Sequence, residues 1–299
     1  MSFNCKYIDN HTHGSFGINF NNATYDEMKF VLKELYKKNI KGICPTLVGD
    51  CDENIYNQLK LFKQIKNEQL KETLNETFII GVHLEGTFLS SSKVGIQDNS
   101  VFKKPTIENF KNLAKDCEDV IKIVTIAPEE NIDLIEYLNK KNIKTQAGHT
   151  SSKTMNECAG VTHIFNAMNT IHHREPSVAL EGLLNEEKYI EVIGDLFHIS
   201  LDMLKLILKV KPKNRIILIS DSLPLSNHDK DIIFCNKKIN KDGKDDNGVI
   251  AGSIQTLDSI CELLIKKKVL TKEDINYLAF ENQINYLNLD KNEINILNR

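Results

Sequence analysis

Short runs of β-branched and other apolar residues alternate with helical patterns along almost the whole chain, and this alternation limits the folds open to it. Strands are expected at about 5–9 ("CKYID"), 40–46 ("IKGICPT"), 78–84 ("FIIGVHL") and 119–126 ("DVIKIVTI"). Four more are expected at about 142–147 ("NIKTQA"), 161–165 ("VTHIF"), 188–194 ("KYIEVIG") and 214–220 ("NRIILIS"). Amphipathic helices lie between them. Over 24–38, Thr24 and Glu27 form a capping-box pattern ahead of Tyr25, Met28, Val31, Leu32 and Leu35 at helical spacing. Over 200–209, Ser200 caps a stripe of Leu201, Leu204 and Leu208. Eight strands, each followed by a helix or a long excursion, form the pattern of a closed (β/α)8 TIM barrel, with a doubly wound open α/β sheet as the competitor. The 299 residues suit one barrel domain spanning 1–299, with no repeat, flexible linker or convincing boundary inside it.

Two segments fall outside the repeat. Residues 227–250 carry "KDG" and "DNG" turn signals between short apolar runs, and a β-hairpin excursion is expected there. Residues 51–77 are rich in Lys, Glu and Asn and contain neither glycine nor proline, which suggests a helix with a solvated outer face.

A net charge of −3 and the lack of any Lys/Arg cluster give no footprint for nucleic acid or an anionic membrane. Seven cysteines, scattered and never in C-x-x-C spacing, argue against a disulfide framework and against thiolate zinc. The N-terminal "MSFNCKYIDN" lacks the apolar core of a signal peptide, so a soluble cytoplasmic protein is expected.

The histidines are less ordinary. In "YIDNHTHG", His11 and His13 are two residues apart, and on an extended strand they face the same way. Glu85 ends strand three, His149 follows strand five, His163 lies on strand six, His198 follows strand seven and Asp221 ends strand eight. In a barrel all these ends surround one mouth, the face on which barrel enzymes carry their chemistry. Five of the nine histidines converge there with two carboxylates, a donor set suited to zinc or another divalent first-row ion. His83, two residues before Glu85 on strand three, is expected in a hydrogen-bonded supporting role rather than as a ligand. His172 and His173, beside Arg174, and His228, in the polar excursion, are left out of the metal site.

The stretches "IDNHTHG", "GVHLEGTFLS", "AGHTS", "THIFNAMN", "HREPS", "GDLFHIS", "ISDS" and "GVIAGS" run in one order over residues 8 to about 254. Together they resemble the N-acetylglucosamine-6-phosphate deacetylase family of the amidohydrolase superfamily. By that resemblance Glu85, His149 and His163 are the principal metal ligands, and His11 and His13 hold a second metal in members that retain the pair. Asp221 is then the catalytic acid/base. Asn166, Ala167, Arg174 and His198, with the backbone at Ile250, Ala251 and Gly252, are the substrate contacts.

The resemblance implies one or two divalent ions per chain, zinc first, with iron, cobalt or manganese as alternatives. The substrate would be a phosphorylated amino sugar, cleaved to glucosamine 6-phosphate and acetate. In some members the arginine matching Arg174 reaches the neighbouring subunit's site, which implies a homodimer. Three positions depart from the family pattern: Thr87 stands where proline is usual, Gln97 where many members place a substrate-contacting histidine, and Leu196 where glycine is customary. Members also normally carry a small β-sandwich built from both chain ends. Only seven residues precede Ile8, so a bare or nearly bare barrel is expected. The rival readings are a metal-dependent amidohydrolase acting on another amide, and a catalytically silent relative kept as a binding protein.

Overall fold

The computed structural model describes residues 5–72, 75–130 and 133–299. Residues 1–4 of the N-terminal stretch, and 73–74 within the polar 51–77 segment, lie outside the described residues. Eight parallel strands pair in sequence order: β1 (Tyr7–Thr12), β2 (Ile40–Val48), β3 (Val82–Glu85), β4 (Ile121–Ile126), β5 (Lys144–Ala147), β6 (Gly160–Val161), β7 (Tyr189–Ile193) and β8 (Ile216–Ile219). A two-residue strand, Phe78–Ile79, also pairs with β2. The sheet closes where the Asp221 N–H donates to the His11 carbonyl at 2.9 Å and Thr12 bridges Ser222 in parallel. The barrel expectation holds over the open sheet.

The strands are apolar on both sides, as parallel strands covered on both faces must be. Along β8, Ile216 and Leu218 join the cluster packed against the helices, whereas Ile217 and Ile219 join a second cluster with Ile8, Cys44 and Ile123. Phe280, Tyr286, Leu287 and Leu297, from the C-terminal helices, complete that inner cluster and plug one end of the barrel. The opposite end is left for polar chemistry.

The helices α1 (Tyr25–Lys37), α2 (Asp52–Lys71), α3 (Ile107–Ala114), α4 (Asp133–Lys140), α5 (Val178–Leu184), α6 (Leu201–Val210) and α7 (Leu257–Lys266) follow strands in the expected way. Helix α1 begins with the Thr24–Glu27 capping box, worth about 1 kcal/mol against an uncapped start. Its buried stripe is Met28, Val31, Leu32 and Leu35. Tyr25 instead lies at the surface and donates its hydroxyl to Glu68 on α2 at 2.7 Å. In α6 the Ser200 cap is present, but Leu204 and Ile207 are the buried residues, with Leu201 and Leu208 half-buried. Helix α2 is solvated on one side only, since Ile55, Leu59, Phe62 and Ile65 are buried in the core.

Three boundaries differ from the sequence expectation in ways that matter to the site. Strand β1 runs on to Thr12, so His11 lies within it. Strand β6 stops at Val161, and His163 sits beyond it, because His163 and Phe165 have φ of +25° and +78° and the chain turns there. The excursion contains the expected hairpin, β9 (Ile232–Phe234) with β10 (Lys237–Ile239). Its turn, however, is Cys235–Asn236, both at positive φ, as the tight primed turns require. The "KDG" and "DNG" glycines make separate turns further on, at Gly243 and Gly248. Among the described residues, strands outside the barrel form only this hairpin and the short pair Gly14–Ser15 with Ile18–Asn19.

Candidate metal centre

The mouth at the C-terminal ends of the strands holds a cavity of about 270 Å³. Glu85, at the end of β3, is its hub. Its Oε1 lies 2.7 Å from His163 Nε2, 3.2 Å from His149 Nε2 and 3.5 Å from His11 Nε2. Its Oε2 lies 3.2 Å from His13 Nε2. Asp221 Oδ1 completes the group at 3.2 Å from His13 Nε2 and 3.5 Å from His11 Nε2. One carboxylate thus meets all four imidazoles, His11, His149 and His163 through Oε1 and His13 through Oε2.

Each imidazole is turned by what its Nδ1 meets. His11 Nδ1 donates to Glu191 Oε2 at 3.1 Å, His13 Nδ1 to the Thr46 carbonyl at 3.2 Å and His149 Nδ1 to the Lys93 carbonyl at 2.9 Å. The exception is His163, whose Nδ1 is buried with no hydrogen-bond partner among the described residues. In every case Nε2 faces the centre. The backbone is strained to achieve this, since His149, His163 and Asp221 all have positive φ (+46°, +25° and +52°). Such outliers gather at functional sites, where the surrounding structure holds them. Asp221 is fixed from both sides: its N–H donates to His11, and its carbonyl accepts from the Ser253 N–H at 2.7 Å. A Cβ on Gly252 would come within 2.3 Å of that carbonyl, which is why the "GVIAGS" stretch needs glycine there.

The donor set fits a divalent cation. The Nε2 atoms of His11 and His13 face each other at 3.3 Å, and four imidazoles crowd around one carboxylate. Among the described residues, His11–His13–Glu85 and Glu85–His149–His163 each bring three ligand atoms within 4.8 Å of one another. A third trio, His11–His83–Glu191, is equally close. Its His83, however, has Nδ1 donating to the Asn10 carbonyl at 3.2 Å and Nε2 at 2.8 Å from Thr125 Oγ1, so it is a supporting residue as expected.

The charges show the same crowding. Burial alone would pull the His11 pKa down, yet the Glu85 and Asp221 carboxylates hold it well above the usual imidazole range. Burial would raise Asp221, but His11 and His13 bring it down to about 2. Glu85 is likewise held well below the usual carboxylate range, its burial outweighed by His11 and His149. Both carboxylates are therefore charged and ready to meet a cation.

Asn166, Ala167, His198, Ile250, Ala251 and Gly252 all line the cavity, with His13, Glu85, His149, His163 and Asp221. His198 Nδ1 donates to Asp195 Oδ2 at 2.8 Å, and its Nε2 donates to the Ala251 carbonyl at 2.7 Å. Burial opposes a proton on that ring, but Asp195 raises its pKa. Arg174 is not brought into the cavity: it lies exposed in the loop ahead of α5, its N–H bonded to His172 Nδ1 at 3.3 Å.

Sequence reasoning missed four residues here. Asp195 and Glu191 orient His198 and His11. Phe234, from β9, lines the cavity with its ring 5.4 Å from that of His13. Gln97, noted only as a departure, donates to the Glu85 carbonyl (2.6 Å) and to Oε2 (3.1 Å), and accepts from the Gly49 N–H (3.1 Å). Its amide is spent on Glu85 and Gly49. Thr87, at φ +74°, has a backbone that proline could not adopt, whereas Leu196, at +61°, keeps the conformation a glycine would take without strain.

The fold and this donor set define a (β/α)8 barrel of the amidohydrolase type with a candidate divalent-metal centre. Comparison with known proteins narrows the class. No protein-family model matches the chain. It is 30% identical over 225 residues to N-acetylglucosamine-6-phosphate deacetylase of Bacillus subtilis (strain 168), a match covering 72% of this chain and 57% of that protein. It is 23% identical over 297 residues to N-acetylgalactosamine-6-phosphate deacetylase of Escherichia coli O157:H7, covering 95% and 78%. The crystal structure of N-acetylglucosamine-6-phosphate deacetylase from Thermotoga maritima superposes with a TM-score of 0.86 at 26% identity, over 97% of this chain and 80% of that one. The chain is a relative of the N-acetylglucosamine-6-phosphate deacetylases, the family its motifs resemble. It spans 57% of the length of the Bacillus subtilis relative.

Proposed function

We propose that this protein deacetylates N-acetylglucosamine 6-phosphate in a metal-dependent reaction, giving glucosamine 6-phosphate and acetate. The observation that carries the reading is the convergence of His13, Glu85, His149, His163 and Asp221 on one cavity, with His11 buried directly behind them, in a relative of that family. Glu85, His149 and His163 would hold one ion and His11 with His13 a second, Glu85 serving both. Zinc suits the imidazole–carboxylate donors, although iron, cobalt and manganese share that preference.

A bound divalent ion polarises the amide carbonyl and lowers the pKa of a water towards neutrality. Asp221, ionised and fixed beside His13, takes the proton from the attacking water and returns one to the leaving amine nitrogen. His198 would donate to the substrate from the cavity wall in place of its bond to the Ala251 carbonyl. The apolar wall of Phe234, Ile250 and Ala251 limits water around the acetyl group.

Many cyclic-amide hydrolases bridge their metals with a modified lysine at the end of strand four. Here that end reads "TIAPEE", and Glu129 instead accepts hydrogen bonds from the Ser151 N–H (2.8 Å), the Ser151 hydroxyl (3.1 Å) and the Thr150 hydroxyl, holding the loop that carries His149. Glu85 is left as the bridge, which favours the deacetylase over that rival. Cytoplasmic location and a homodimer complete the proposal. No helix among the described residues is long and apolar enough to cross a membrane. Arg174, exposed and outside its own chain's cavity, would serve the site of a second copy by gripping the 6-phosphate.

Arg174→Ala tests that substrate assignment. Charge-assisted hydrogen bonds are worth roughly 1.5–3 kcal/mol, so kcat/KM for the phosphorylated amide should fall about 10- to 150-fold. The loss should lie mainly in KM, because the phosphate is remote from the breaking bond. The unphosphorylated sugar should be nearly unaffected. Equal losses on both substrates would make Arg174 a loop or interface residue.

A further inference from the structure

Between the cavity and the apolar cluster that plugs the far end, the barrel interior has a polar layer, where packed aliphatic layers are usual. The Glu191 carboxylate, on β7, is fully buried there. Its Oε2 accepts from His11 Nδ1 at 3.1 Å and its Oε1 accepts from Gln146 Nε2 at 2.9 Å. The carboxylate sets the Gln146 amide, since turning it over would put oxygen against oxygen, and the Gln146 oxygen lies 3.0 Å from the Thr162 hydroxyl. Thr162 in turn shares a 2.8 Å hydrogen bond with Thr125, which meets His83. Side chains from β1, β3, β4, β5 and β7, and from the turn after β6, thereby hold one carboxylate in one orientation.

The consequence falls on His11. A neutral imidazole carries one proton, and the hydrogen bond made by one nitrogen decides which face the other presents. A ring that holds a cation must be neutral, and Glu191 would then keep the proton on Nδ1 and leave the Nε2 lone pair for a cation among His13, Glu85 and Asp221. Of the four imidazoles at the centre, His11 alone is oriented by a carboxylate among the described residues. His13 and His149 meet backbone carbonyls, and His163 Nδ1 meets nothing. A carboxylate partner also makes the ring a stronger donor to a cation. We infer that Glu191 is the positioning residue of the second metal position, acting through the tautomer and orientation of His11. This rests on the two-ion reading proposed above.

The test is a zinc titration of chelator-stripped protein by calorimetry, with bound zinc counted independently. Wild type should bind two ions. His11→Ala with His13→Ala should bind one. Glu191→Leu should keep the tighter ion and bind the second about 10- to 100-fold more weakly, the usual cost of losing such a partner. Glu191→Gln keeps an acceptor for the His11 Nδ1 proton and should recover most of that loss, which a purely steric role for the carboxylate would not separate from a polar one. The zinc-loaded wild type and Glu191→Gln should show a downfield proton resonance from the His11 Nδ1–H that Glu191→Leu lacks. If Glu191→Leu does not fold, Gln146→Leu removes the lock but leaves the carboxylate, and the second ion alone should weaken. Two ions bound with wild-type affinities in either leucine variant would overturn the inference and leave the two-ion reading standing. One ion in the wild type would reject that reading, and the inference with it.

Discussion

Replacing Asp221 with asparagine should lower kcat by on the order of 10²–10⁴ while the protein keeps its fold and most of its metal. The side chain is nearly isosteric, and the backbone bonds that fix it, from the Asp221 N–H to His11 and from the Ser253 N–H to Asp221, do not involve the carboxylate. What is lost is a base. Asp221 has a pKa of about 2 because His11 and His13 outweigh its burial, so at neutral pH it is charged and able to accept a proton. An amide in its place can neither take that proton nor return it to the leaving nitrogen. KM should change little, since the residue touches the reacting atoms rather than the sugar. Steady-state kinetics beside a metal count decide the matter: near-normal turnover at full occupancy would remove Asp221 from the proton path.

A second large effect is expected at Glu85. Glu85→Gln preserves shape but removes the one carboxylate that meets all four histidines. Both proposed ions share it, so zinc content should fall for both together, unlike the single loss expected for the His11 and His13 pair. Activity should drop by more than the 10- to 100-fold typical of an outer partner of a metal ligand. The fold should persist, because the apolar clusters on either side of the sheet do not include this residue. Metal analysis of the purified variant checks this directly. Retention of one full equivalent of zinc would show that the histidines after β5 and β6 hold an ion without Glu85.

The barrel was legible because its strands are continuous β-branched runs with both faces buried, and "IILI" at β8 is the clearest case. The candidate site was legible because histidines and carboxylates at strand ends have no packing reason to recur there. His163 was placed on a strand because "VTHIF" has strand composition. Its left-handed backbone arises from tertiary contacts, such as the Ile164 N–H donating to the Glu191 carbonyl, that no local pattern encodes. Glu191 was passed over for a related reason. Its partners His11 and Gln146 lie 180 and 45 residues away, and only barrel closure brings them together. One signal was available: a glutamate inside the apolar run "YIEVI" is costly to bury unless something pairs with it. Asp195 offered another, three residues before His198 in "GDLFH", where a short acidic side chain can cap its own turn. Gln97 could not be read from sequence at all, because its role depends on which way the amide points.

The most direct measurement is acetate release from N-acetylglucosamine 6-phosphate by protein stripped of metal and then reloaded with zinc. The galactosamine epimer and unphosphorylated N-acetylglucosamine serve as comparisons. The account predicts turnover that is abolished by chelation, restored by zinc and markedly faster with the 6-phosphate than without it. Higher turnover of the galactosamine epimer would keep the chemistry and change the sugar. Absence of acetate release from every one of these substrates by fully zinc-loaded protein would contradict the account and leave a binding protein on a hydrolase fold.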